Sequence, residues 1–186
     1  MLDLLFSLSL SFLCGFLVKA VDYLEDDKKS KSVIRFVAAA AYGFVIGLII
    51  SFSSFSLIFI AAFLAQFVSK KIDNSSHYIG CLIAILSITL FWNGSILSDL
   101  STNIFPFIFL LAMAVLDELS DDIKSKQLGQ ILKHRPFLKI GSAIFLLYSR
   151  FDYFLGIVLF DLGYELFSCL ASNLVRKKPS KRALKR

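Results

Sequence analysis

The chain has 186 residues, of which 57% are hydrophobic and 18% charged, and its formal net charge is +6. Soluble domains hold about 45–50% apolar residues, so this composition excludes an ordinary soluble protein. The excess positive charge does not signal nucleic acid, because the basic residues sort by side of the membrane, as set out below.

Apolar runs of near-spanning length recur along the whole sequence and predict an all-α, polytopic membrane helical bundle. A membrane barrel is excluded, since its strands would alternate polar and apolar residues and runs such as 36–50 do not. Seven spans are predicted, at 4–21, 33–50, 52–68, 78–92, 104–116, 137–148 and 151–175. The first opens on Met1, Leu2 and Asp3 without a basic residue, unlike a signal peptide. The turns at 51–56 and 149–152 are tight, so spans two and three, and six and seven, read as helical hairpins. Spans five and six are short for a hydrocarbon core that takes about 20 residues. An extension of span five into 98–103, or local thinning of the bilayer, would accommodate them. Cys14, Cys81 and Cys169 lie in apolar runs with no ligand spacing and read as small core residues. His77 and His134 read as loop residues, and Trp92 as an interfacial anchor.

With these spans, 19 of the 20 Lys and Arg residues fall on one side, and Arg150 is the exception. The positive-inside rule then puts the N-terminus outside and the C-terminus in the cytoplasm, most simply in the plasma membrane of a prokaryote. The domain reading is one integral-membrane domain over 1–175 and a basic cytoplasmic tail over 176–186 that meets anionic lipid head groups.

One string occurs twice. DYLEDDKKSK at 22–31 returns 95 positions later as DELSDDIKSK at 117–126, with seven of ten positions identical. Each copy ends an apolar run on the cytoplasmic side. The offset maps span one onto five, two onto six and three onto seven, which predicts a parallel internal repeat with halves at about 1–75 and 96–172 and span four as connector.

Within the strings, Asp22 and Asp26 are i,i+4 neighbours with Glu25 on the same face. Asp117 and Asp121 repeat that spacing, and Glu118 and Asp122 make a further pair. Like charges so placed repel by roughly 0.2–0.5 kcal/mol per pair, and a helix C-terminus is the wrong end for anions. Clustered carboxylates suit a hard divalent cation, and Mg²⁺ commonly bridges them to phosphate oxygens. The candidate metal set is therefore Asp22, Glu25, Asp26, Asp27, Asp117, Glu118, Asp121 and Asp122. Lys29, Lys31, Lys124 and Lys126 follow the acids and could meet phosphate charge as point cations.

The segment Val21 to Asp27 resembles the first aspartate-rich motif of the UbiA superfamily of intramembrane prenyltransferases, N-D-x-x-D-x-x-x-D, with Val21 where the family carries Asn. The segment Leu116 to Asp122 resembles the second, D-x-x-x-D. Four spans separate the motifs here, as in that family, and the chain resembles a member lacking its first and last spans. The resemblance implies transfer of a polyprenyl group from a prenyl diphosphate to a membrane-soluble acceptor. Asp22, Asp26, Asp117 and Asp121 would be the catalytic acids that hold Mg²⁺, with Lys126, Lys133 and Arg135 as further diphosphate contacts. The many Phe residues would line the prenyl groove.

Asp161 and Glu165 lie one turn apart inside span seven, and Gln66 holds the repeat-equivalent position of Asp161. Intramembrane acids are costly and point to function. They carry the alternative expectation, a small-solute or ion transporter or channel with a three-plus-one-plus-three layout, in which Asp161 and Glu165 line the pathway.

Overall fold

The computed structural model describes residues 4–27, 33–72, 74–92, 94–120 and 136–176. Among these the chain is all-helical, with no strand. The elements are α1 (Leu4–Asp22, continued by a π turn at Tyr23–Asp27), α2 (Ile34–Phe52), α3 (Ser56–Val68), α4 (Ser75–Leu90), α5 (Ser95–Thr102), α6 (Ile104–Ser120), α7 (Pro136–Ile144, continued by a 3₁₀ turn at Phe145–Tyr148) and α8 (Phe151–Arg176).

Each predicted apolar run forms a helix, but length separates them. Among the described residues, three helices are long and apolar enough to cross a membrane, at Leu4–Glu25, Ile34–Phe52 and Phe151–Asn173. A fourth arises if α5 and α6 count as one span, but the two meet at a 94° bend. The polar stretch expected to prolong span five is therefore helical but turned aside. Asn103 breaks the ladder, and its carbonyl accepts from Phe107 N–H at 2.9 Å to start α6. Pro106 is tolerated there because first-turn N–H groups have no partner within the helix. The 13 residues of α3 rise only about 20 Å, against a hydrocarbon core of about 30 Å.

Packing runs as a ring. α1 packs on α2, α2 on α3, α3 on α6, α6 on α7, α7 on α8, and α8 returns to α1. α4 lies along α2, and α5 touches α2, α3 and α6. Cys14, Ile49, Phe55, Leu57, Ile58 and Leu110 form the fully buried centre.

Small residues allow the closest crossings. A Cβ added at Gly15 would fall on the Phe160 carbonyl oxygen, and one at Gly163 on the Phe12 carbonyl oxygen, so α1 and α8 meet backbone to backbone. Gly43 of α2 likewise meets the Gly80 carbonyl of α4. Such small-residue contacts are the usual means of close helix packing in lipid. The Ser11 hydroxyl donates to the Gly156 carbonyl at 2.5 Å and adds a polar tie across the α1–α8 seam.

Arg150, the exception to the expected positive-inside pattern, has a structural task. Its Nη2 donates to the Ser54 carbonyl at 2.6 Å, joining the α7–α8 turn to the α2–α3 turn. Nε and Nη2 each hold Asp152 at 3.1 Å, and Cζ sits 4.3 Å from the Tyr153 ring centroid. Replacing Arg150 with alanine is expected to cost about 1–2 kcal/mol, read as a lowered thermal midpoint of the purified protein. Lysine should recover only part of this, because an ammonium cannot match the planar fork. An Arg150→Lys protein as stable as wild type would refute the clamp.

Candidate functional site

A cavity of about 330 Å³ lies inside the helical ring. Its polar wall carries Asp22, Gln66, Lys71, Asn74, His77, Glu118 and Asp161. Tyr42 and Tyr164 stand among them, and Phe59, Phe63 and Phe160 form an aromatic side.

Asp22 ends α1 directly before the π turn, a local widening that often marks functional positions. Its Oδ2 accepts from the Tyr164 hydroxyl at 3.0 Å, and its Oδ1 lies 3.3 Å from His77 Nε2. On the other edge of the imidazole, Nδ1 is 3.3 Å from the Tyr42 hydroxyl. The chain Tyr42–His77–Asp22–Tyr164 thus ties α2, α4, α1 and α8 together on the cavity wall. Lys19 Nζ lies 4.8 Å from the Tyr164 ring centroid and brings positive charge toward Asp22.

Asp161 of α8 pairs with Lys139 of α7, Nζ to Oδ2 at 2.5 Å. Gln66 and Asp161, 95 residues apart in sequence, both line the cavity. Glu165 is exposed and does not line it.

The acids of the two strings divide. Asp22 from the first and Glu118 from the second face the same cavity. Glu25 instead pairs with Arg35 at 2.8 Å and accepts from the Ser76 hydroxyl. Asp117, only 2% exposed, accepts from two backbone N–H groups at the start of α7, Phe137 to Oδ1 at 2.9 Å and Leu138 to Oδ2 at 2.6 Å. The side chains of Asp26 and Asp27 lie outside the described residues, as do Lys29, Lys31, Asp121, Asp122, Lys124, Lys126, Lys133 and Arg135.

Among the described residues, no group of three or more His, Cys, Asp or Glu side chains could hold a metal ion. Asp22, Glu25 and Asp117 are each held by protein donors, so the described set does not by itself form an Mg²⁺ cradle.

Several wall residues are invisible to motif reading. His77, expected in a loop, sits in the first turn of α4 and on the cavity. Tyr42 and Tyr164 carry no sequence signal, although Tyr164 follows Asp161 at i+3 and so shares its helix face.

No family model matches the chain, and no curated protein or solved structure matches it.

Proposed function

We propose that the chain is a small UbiA-like membrane prenyltransferase, in which the cavity receives the head of a prenyl diphosphate and the aromatic side receives the start of its tail. The observation that carries this reading is that Asp22 and Glu118, one acid from each copy of the duplicated string, line a single cavity with Phe59, Phe63 and Phe160. A mixed wall of this kind suits an amphiphile with a charged head and an unsaturated apolar tail.

In this reading the seven helices of the two hairpin halves and the connector form the bundle, with the basic loops in the cytoplasm. The packing order supports a pseudo-two-fold repeat. α1 meets α8, and α3 meets α6, so the first helix of each half contacts the last helix of the other. α3, α4 and α7 would cross with help from flanking residues or a thinned bilayer.

The reaction breaks the allylic C–O bond, and the electron pair leaves with diphosphate. A nucleophilic atom of a membrane-soluble acceptor then bonds to the allylic carbon and releases its proton. Phe59, Phe63 and Phe160 would offer π faces to the developing allylic cation. Lys71 would face the departing diphosphate as a point cation. Mg²⁺, when bound with the diphosphate, would supply charge neutralisation of the leaving group. Its candidate ligands here are Glu118 and the string acids Asp26, Asp27, Asp121 and Asp122.

The transporter alternative needs Asp161 and Glu165 on one pathway. Only Asp161 lines the cavity, and this weighs toward the prenyl diphosphate reading.

The test is binding of geranylgeranyl diphosphate to the purified protein in nanodiscs, with and without Mg²⁺, followed by transfer to a lipid-extract acceptor. Glu118→Gln should weaken Mg²⁺-dependent binding by roughly tenfold to a hundredfold, as expected for loss of a charge-assisted metal contact. A wild-type protein that binds no prenyl diphosphate with Mg²⁺ present would end this reading.

A further inference from the structure

We infer that Asp117 is a positioning residue, clasping the start of α7 so that Leu138 stays on the cavity wall and Lys139 stays against Asp161, instead of ligating a metal. The geometry is specific. α7 has nine residues, too few to be stable as a helix alone. Its first-turn N–H groups have no intrahelical acceptors. Pro136 removes one such donor, and the two oxygens of Asp117 take the next two, from Phe137 and Leu138. A carboxylate also complements the positive end of the helix. Asp117 performs this from the end of α6, so a tertiary contact does the work that an N-cap residue normally does within one helix.

The clasp reaches the cavity within one turn. Leu138, the second residue held by Asp117, is a wall residue. Lys139, the next, pairs with Asp161 on that wall. The first string behaves alike: Glu25 reaches forward to Arg35 in the first turn of α2. In each half, then, an acid of the string fastens the start of the following helix. The two fastening acids are not repeat equivalents, since Asp117 matches Asp22 and Glu25 matches Ser120.

The consequence for ligand binding rests on the prenyl diphosphate reading, while the clasp itself does not. The experiment compares wild type with Asp117→Ala, Asp117→Asn and Asp117→Ser in nanodiscs. Three quantities are read: amide hydrogen exchange over 136–144, carbodiimide cross-linking of Lys139 to Asp161 by mass spectrometry, and affinity for geranylgeranyl diphosphate over an Mg²⁺ titration. Alanine and Ser remove both acceptors at that reach, whereas Asn keeps one acceptor oxygen. Asp117→Ala should speed exchange over 136–144, lower the cross-link yield and weaken prenyl diphosphate binding by roughly three- to thirty-fold, with the Mg²⁺ midpoint unchanged. Asn should restore part of each signal through its one acceptor oxygen, and Ser should behave like Ala.

If Asn loses Mg²⁺-dependent binding as fully as Ala while exchange and cross-linking stay at wild-type values, Asp117 is a ligand and the inference falls. It also falls if Asp117→Ala leaves exchange and cross-linking unchanged. A wild-type protein that binds no prenyl diphosphate ends the functional reading alone, and exchange and cross-linking still decide the clasp.

Discussion

Replacing Gly163 with valine is expected to prevent α1 and α8 from assembling. A Cβ at this position falls on the Phe12 carbonyl oxygen, with the Phe16 nitrogen 3.0 Å away. The reciprocal contact, Gly15 on the Phe160 carbonyl, lies on the same seam. Both obstacles are backbone, so no rotamer change relieves them and the helices must move apart. Separation would strip Ser11 from the Gly156 carbonyl and part the edge-on Phe16–Phe167 pair, whose centroids are 4.9 Å apart. It would also draw Tyr164 from Asp22 at the cavity. Overpacking alone typically costs about 1–3 kcal/mol, and the lost polar tie adds about 1 kcal/mol. The summed loss corresponds to a drop of roughly 10 °C in thermal midpoint for a chain of this size. Gly94→Ala is the control. Nothing lies within 4 Å of its Cβ position and only its positive φ of 74° is strained, so the cost should stay near 1 kcal/mol. A Gly163→Val protein that melts with wild type would mean that the two helices do not cross at these glycines.

The helices were legible because lipid leaves little choice: a long apolar run must satisfy its own backbone, and a helix does so. Predicted runs at 4–21, 33–50 and 151–175 match α1, α2 and α8 to within a few residues at each end. Hydropathy does not report direction, however. The segment 98–103 reads equally well as a straight extension of span five or as the turned helix α5, and the break at Asn103, with φ −117° and ψ 35°, decides it. The crossings of Gly15 and Gly163 were equally hidden, since a glycine in an apolar run carries no mark of what it faces.

The site was half legible, for a definable reason. A charge or amide inside an apolar chain stands out, so Asp22, Glu118, Gln66 and Asp161 could be named from the sequence, and all four line the cavity. Their partners could not. Tyr164 meets Asp22 across 142 positions and Tyr42 meets His77 across 35, and no local pattern encodes either pairing. Asp117 and Glu118 are neighbours of the same type, turned about 100° apart on the helix. That angle sends one to the start of α7 and the other to the cavity. The duplicated string marked where acids would gather, but not which would face a ligand and which would hold a helix.

The second large effect is expected at Lys139. Its pair with Asp161 is partly buried, with side-chain exposures of 30% and 17%. Lys139→Ala removes the cation and leaves the carboxylate on the cavity wall without its lysine. Breaking a buried pair from one side costs about 3–5 kcal/mol. The open cavity and the partial exposure of both side chains put this case below that range, at about 1–2 kcal/mol. The reverse substitution should be milder. After Asp161→Asn the amide can still accept a hydrogen bond, and the long lysine stem can carry its charge toward water. The double variant, Lys139→Ala with Asp161→Asn, removes both charges and should regain much of the stability lost in Lys139→Ala alone. Thermal midpoints of the four proteins in one detergent complete the cycle, whose coupling should reach at least about 1 kcal/mol. Additive losses would mean that the pair contributes nothing to the fold. A measured coupling would instead make α7 a helix held at both ends of its cavity-facing turn, by Asp117 through the backbone and by Asp161 through Lys139. Loosening either hold would then reach the wall of the cavity that Asp22 and Glu118 also line.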